Sequence, residues 1–276
     1  MSAPNAILVD AHVHLHDCYV PSRFLDHAAA NFERAATDRN WEASPGALLF
    51  TESAGTDWFG RLAQVAAGRT ELPLGTWRLE ETGDPAAVRA RSEGRELLLI
   101  AGRQVVAREG LEVLLLGTRA FVADRLPIEE VLAQGERAGA LRVIPWGVGK
   151  WLFGRGRLLH AVLESAPADG GFFLGDSSGR PFFWRAPDHF AAAARRGIRV
   201  LPGTDPLPFP AEVRRPGSYG FRLEIPDDLA RPAEAIVAAL RSPEARLTPY
   251  GRLERLGAFL NNQIAMQRRR RRRGPR

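Results

Sequence analysis

The chain has 276 residues, 45% of them hydrophobic and 25% charged, a length and balance that suit a folded globular protein with a sizeable core and argue against a disordered or fibrous chain. Its longest apolar runs, at 97–101 and 111–116, fall far short of the roughly 20 residues that cross a bilayer, and a single cysteine, Cys18, excludes an internal disulfide. The net charge of +6 belongs to the end of the chain: residues 267–276 hold seven arginines and no acid, and setting those seven aside leaves the body at −1.

In chain order, residues 6–10 read as a strand that runs into Asp10, His12 and His14. Residues 21–38 read as a helix, with Phe24, Leu25, Ala28, Ala29 and Phe32 at helical spacing. A short strand at 47–50 ends at Thr51, Glu52 and Ser53, followed by a helix at 57–67, a strand near 76–80 and a short helix near 85–91. The apolar runs 97–106 and 111–116 flank a four-residue turn bearing Gly110, which predicts an antiparallel hairpin. A helix at 127–138, a strand at 142–146, a helix at 157–164 and a strand at 172–175 ending at Asp176 come next. A helix at 189–196 and a strand at 198–201 lead into Pro202, Gly203, Thr204, Asp205 and Pro206. A strand at 221–225 and helices at 232–240 and 250–264 complete the body. Alternation of this kind predicts an α/β fold: a distorted (β/α)7-8 TIM-like barrel with an inserted β-hairpin, spanning residues 1–266 as one domain. Residues 267–276 are expected to be a disordered Arg-rich tail.

In such a barrel the chemistry gathers at the carboxyl ends of the strands. His12 and His14, two apart on a strand, share a face and can chelate one ion. With Asp205 they make three ligands and leave a position open for water. Asp205 precedes a proline, so a plain turn role is its structural alternative. Glu52 offers either a further ligand or a helix-start carboxylate. Asp176 offers a ligand or a general base. His16 lies near enough in sequence to join the cluster; His160 and His189 fall in helices and read as structural. The chain has 37 arginines and one lysine, Lys150, which sits among Gly147, Gly149, Gly154 and Gly156. Lys150, Arg155 and Arg157 ahead of a helix, joined by Arg103, suggest a pocket for a small anionic substrate. Cys18 reads as a small buried or half-buried thiol.

The arginines from Arg268 to Arg273 are the candidate contact for a nucleic acid or another acidic partner, although no interleaved aromatic residues accompany them. No basic segment followed by an apolar one opens the chain. With the lone thiol, this leads to the expectation of a cytoplasmic protein.

These motifs resemble the PHP (polymerase and histidinol phosphatase) family of amidohydrolase-like metal-dependent barrels. The resemblance rests on VDAHVHLH at 9–16, AGRQVVAREGLEVLLLG at 101–117, VLPGTDPLP at 200–208 and PAEAIVAALRS at 232–242. It implies a metal-dependent hydrolase, a phosphoesterase first of all, with a divalent metal (Zn, Mn or Mg). His12, His14 and Asp205 would be ligands, and Lys150, Arg155 and Arg103 would hold the anion. The chain departs from the family pattern at Gln104, where the family has a Glu, at Pro145-Trp146, where it has His-Pro, and at Leu207, where it has a His. Those departures leave two alternatives: a catalytically weak PHP-like binding or scaffold protein, and an amidohydrolase acting on an amide or cyclic amide with Lys150 as the bridging residue.

Overall fold

In a computed structural model the chain is described at residues 5–42, 44–151, 153–166, 170–184, 186–225 and 229–273. The apolar run after residue 5 is β1 (Asn5–Val13), and the amphipathic segment behind it is α1 (Pro21–Asp38), which starts on Pro21 and buries Phe24, Leu25, Ala28 and Phe32. β2 (Gly46–Phe50) pairs in parallel with β1, and α2 (Trp58–Ala66) follows it. Here the helix-strand alternation stops. β3 (Arg78–Glu81), β4 (Ala87–Ser92) and β5 (Arg95–Ile100) form an antiparallel meander, with β5 in parallel beside β2. The segment expected as a short helix near 85–91 is therefore β4, which lies across from Leu97–Leu99 of β5 and buries Ala87, Val88 and Ala90 on the way.

β5 does not continue into a hairpin with 111–116. Ala101 breaks it from β6 (Gly102–Val106), which pairs with β7 (Glu112–Leu116) in the expected antiparallel hairpin. Then come α3 (Ile128–Arg137), β8 (Leu141–Pro145), α4 (Phe153–Ser165), β9 (Phe172–Ser177), α5 (Asp188–Arg195) and β10 (Val200–Gly203). A 3-10 turn at Pro210–Arg214, β11 (Tyr219–Ile225), α6 (Pro232–Arg241), β12 (Leu247–Gly251) and α7 (Leu256–Arg273) complete the chain. The stretch expected as one helix over 250–264 thus splits, with Tyr250 and Gly251 in β12 against β11.

Two mixed sheets result. One has the order β12-β11-β1-β2-β5-β4-β3 and the other β10-β9-β8-β7-β6. This overturns the expected TIM-like barrel. A (β/α) barrel needs parallel neighbours throughout, whereas β1–β11, β11–β12, β3–β4, β4–β5, β6–β7 and β7–β8 are antiparallel. Among the described residues the strands do not close into one barrel. Two apolar clusters pack the fold: one holds Phe24, Phe50, Phe221 and Leu223 together with Leu116, Val143, Phe173 and Leu201 of the second sheet, and so lies between the sheets, and the other holds Leu115, Ile144, Leu159 and Leu174. No helix among the described residues is long and apolar enough to cross a membrane.

The sheets meet where β10 ends against β1. Asp205 N donates to His12 O at 2.8 Å. Gly203 permits that approach, because a Cβ on it would lie 2.5 Å from His12 N and 2.6 Å from His12 Cβ. A second seam joins the end of β2 to β6: Glu52 N donates to Gly102 O, and Gln104 N donates to Glu52 O. Gly203→Ala is expected to destabilise the protein by about 1–3 kcal/mol by forcing β1 and β10 apart, read as a shifted urea midpoint; an unchanged midpoint would contradict the seam.

Candidate metal centre

His12 is the last-but-one residue of β1, and His14 follows the strand by one residue. Between Asp10 and Val13 the β1–β2 register slips, since three steps on β1 match two on β2. Such a bulge re-aims side chains at a strand end. His12 and His14 both turn toward the seam, with their Nε2 atoms 3.1 Å apart and ring centroids 5.0 Å apart. Asp205 Oδ1 lies 3.5 Å from His12 Nε2 and 3.6 Å from His14 Nε2.

Among the described residues, His12, His14 and Asp205 are the group of nitrogen and carboxylate ligands able to hold a metal ion. Ligand atoms separated by 3.1–3.6 Å suit an ion about 2.1 Å from each, which subtends angles of roughly 95–120°. The donor set fits a divalent cation in charge as well. Burial, followed by the charge of His12, pushes the His14 pKa down to about 3, which favours the neutral imidazole that a metal ligand must be, and the Thr51 hydroxyl lies 3.3 Å from its Nε2. Burial opposes ionisation of Asp205, but His12, His14, Lys150 and Arg215 outweigh it and hold the carboxyl below its usual range. Asp205 sits in the left-handed region at φ 48°. A non-glycine residue held there is strained, as functional positions often are.

One buried carboxylate keeps this arrangement in place. Asp10 is 0% exposed. Its Oδ1 accepts from Thr204 N at 2.8 Å and His12 N at 3.3 Å; its Oδ2 accepts from the Thr204 hydroxyl at 2.6 Å and Gly217 N at 2.9 Å. Asp10 therefore ties the residue before Asp205 to His12 across the seam. Burial pushes its pKa up to about 7, against the lowering effect of the hydrogen bonds from Thr204, Gly217 and His12.

Of the other sequence candidates, Lys150 and His16 lie beside this cluster and the rest lie apart from it. Glu52 is not with it: its Oε1 accepts from Phe59 N at 2.9 Å and, with Asp57 on Gly60 N, caps α2. Burial raises the Glu52 pKa, against the hydrogen bonds of Thr56 and Phe59. Both Asp176 oxygens are occupied, by Arg180 Nε at 2.8 Å, Arg180 Nη2 at 2.7 Å and the Tyr219 hydroxyl at 2.8 Å. Arg103 donates to Val122 O and lies over the Phe121 ring. Arg155 and Arg157 are exposed, and Arg155 bonds Gly149 O. Lys150 does reach the site: it lines one cleft with Asp205 and is paired with Glu112. His16 stacks on His14 at 5.4 Å, and its Nε2 lies 2.9 Å from Pro206 O. His160 pairs with Glu164 and His189 bonds Gly156 O, both structural contacts as expected. Cys18 is exposed rather than buried.

Sequence reasoning missed Arg215. It lines the same cleft, pairs with Glu254 and Glu212, and donates to the Ser178 hydroxyl at 2.6 Å. Nothing local in Arg214-Arg215-Pro216 marks the second arginine as the inward one. The role of Asp10 was also missed, though a carboxylate inside an apolar strand directly before His-x-His is a visible signal. The cleft holds about 190 Å³. Larger grooves of about 400 and 720 Å³ lie over α1, away from these histidines.

No family model matches the sequence, and no curated protein matches it. Solved structures do share its fold. PsfC from Pseudomonas syringae PB-5123 is 17% identical with a TM-score of 0.55, over 96% of this chain and 100% of that one. The novel lesion-specific endonuclease PfuEndoQ from Pyrococcus furiosus is 12% identical with a TM-score of 0.52, over 88% of this chain and 57% of that one. The chain thus spans little more than half the length of PfuEndoQ, and at these identities the likeness is one of fold. Asp10→Ala strands four donors, three of them backbone N–H groups, and is expected to cost about 3 kcal/mol or more; a loss below about 1 kcal/mol in urea unfolding would remove Asp10 as the clamp.

Proposed function

We propose that the chain is a metal-dependent hydrolase of PHP type that cleaves a phosphoester in a small anionic substrate. The observation that carries this reading is the convergence of His12 Nε2, His14 Nε2 and Asp205 Oδ1 within 3.1–3.6 Å of one another, beside a cleft that Asp205 lines. The sequence resemblance to the PHP family supports it, and so does a fold shared with an endonuclease. A divalent ion supplies Lewis acidity and a water made more acidic than bulk.

The chain's own residues supply the rest. His12 and His14 would offer imidazole nitrogens and Asp205 a carboxylate oxygen, a donor set suited to a divalent cation. Asp10 fixes the spacing of His12 and Asp205 through backbone hydrogen bonds, in the way that outer partners orient metal ligands. Lys150 and Arg215 flank the cleft and can hold a phosphoryl group in place. Asp176 is held by Arg180 and the Tyr219 hydroxyl, contacts that tie β9 to β11. Because Arg155, Arg157 and Arg103 line other surfaces, the anion falls to Lys150 and Arg215.

Protein stripped with a chelator and reloaded with Mn²⁺ or Zn²⁺ is expected to bind the ion and hydrolyse phosphoesters. His12→Ala, His14→Ala and Asp205→Ala should each lower metal content in elemental analysis and cut turnover by at least 100-fold. Full turnover with the chelator present would overturn the reading. Metal retention without turnover of any phosphoester or cyclic amide would favour a binding protein.

The arginine run is a separate element on this reading. It lies on α7, whose helical backbone continues to Arg273, and it offers a sequence-blind contact for a nucleic acid or another polyanion. Gln267 lines the cleft, so the informative truncation removes residues 268–276 and keeps it. That truncation is expected to abolish retention on DNA at low salt and leave hydrolysis intact; retention that survives would place the contact elsewhere.

A further inference from the structure

The cleft beside Asp205 has a wall that the ligand cluster does not need. Phe259, Asn262, Gln263 and Met266 line it from α7. They recur every three or four residues, which puts them on one face of the helix. Leu256, Leu260 and Ile264, on the neighbouring face, are about half exposed at 49%, 49% and 48%. The inward face is anchored: Phe259 meets the edge of Trp184 at 6.5 Å, and Trp184 meets Trp146 at 6.1 Å across the cleft rim. The chain just before α7 is pinned too, since Glu254 N donates to Arg180 O and Phe182 N donates to Glu254 O, both at 3.0 Å.

Size and charge restrict what fits under this wall. A volume of about 190 Å³ lies below the roughly 300–1,000 Å³ of sites for drug-sized ligands. Lys150 and Arg215 are the cations that line the cleft among the described residues, and each is already matched by carboxylates, Glu112 for Lys150 and Glu254 with Glu212 for Arg215. A strand of successive phosphates needs an excess of positive charge along its track, which these paired side chains do not offer. On the α7 side the polar groups are neutral amides, each with donors and an acceptor. They suit a neutral hydroxyl- or amide-bearing tail, with Phe259 and Met266 against its carbon chain.

We propose that α7 is the specificity wall of this cleft: Asn262 and Gln263 hydrogen-bond the neutral tail of a small monoester whose phosphoryl end lies toward Asp205, Lys150 and Arg215. This rests on the reading of the site as a phosphoester hydrolase. A site built to hydrogen-bond a polar tail loses discrimination when its partner is removed, so the ratio of kcat/KM between two esters reports on the wall directly.

The test uses the full chain loaded with Mn²⁺ and compares glycerol phosphate, whose tail carries two hydroxyls, with methyl phosphate, whose tail is a single carbon, and with a short single-stranded oligonucleotide. Binding of glycerol phosphate and of inorganic phosphate is followed by calorimetry. The expected result is that Asn262→Ala combined with Gln263→Ala lowers kcat/KM for glycerol phosphate at least tenfold relative to methyl phosphate. Its calorimetric affinity for glycerol phosphate should fall by the same factor relative to inorganic phosphate, while Leu260→Ala, on the outer face of the helix, changes neither ratio. Unchanged ratios in the double variant overturn the proposal and leave the hydrolase reading standing. Oligonucleotide cleavage by the wild type as fast as that of either monoester does the same. Failure of the wild type to turn over any ester or to bind phosphate overturns both.

Discussion

The buried carboxylate of Asp10 is the constraint on which the rest of the site depends. Fully buried, it must have its lone pairs satisfied from within, and the donors that reach it are Thr204, Gly217 and His12. Meeting that requirement draws the end of β10 onto β1. Asp205 then lands beside two imidazoles that are about 190 residues away in sequence. Gly203 makes the approach sterically open, and the left-handed backbone at Asp205 turns its carboxylate toward the rings.

The surroundings of the ligand cluster are largely ionic, but its charges are spent on one another. Asp176 is held by Arg180 and Tyr219, Arg215 by Glu212 and Glu254, and Lys150 by Glu112. Paired charges of this kind fix geometry more than they add stability. Three cations, Arg180, Arg215 and Lys150, face four carboxylates, Asp176, Glu212, Glu254 and Glu112, so these pairs leave no excess positive charge at the cleft. The arginines of residues 268–273 lie in sequence at the far end of α7. The same helix thus carries two different chemistries, neutral amides over the cleft and a dense run of cations at its tip.

The fold shows why some strand-end candidates come together and others do not. His12 and His14 at the end of β1 and Asp205 just past β10 face each other across the seam between the two sheets, so their side chains converge. Glu52 also follows a strand, but its seam is the one with β6, and the nearest unsatisfied donor is Phe59 N at the start of α2. Arg155 and Arg157 lie where the sequence suggested an anion pocket, near the start of α4, yet both side chains are exposed. Gln104 stands on β6 as a half-buried amide whose backbone joins the seam.

The sequence by itself determined the local units: β1 leading into two histidines on one face, the helical period of α1, the β6–β7 hairpin around Gly110, and the apolar strand that ends at Asp205. These are set by side-chain period and turn chemistry, which act within a few residues. Tertiary structure alone decided that β3, β4 and β5 form a meander instead of β/α units, that the strands divide into two sheets instead of closing, and that Arg215 faces inward while Arg155 and Arg157 do not. Those outcomes depend on which strand edges find partners and which buried donors find acceptors, a contest among segments far apart in the chain that no local pattern records.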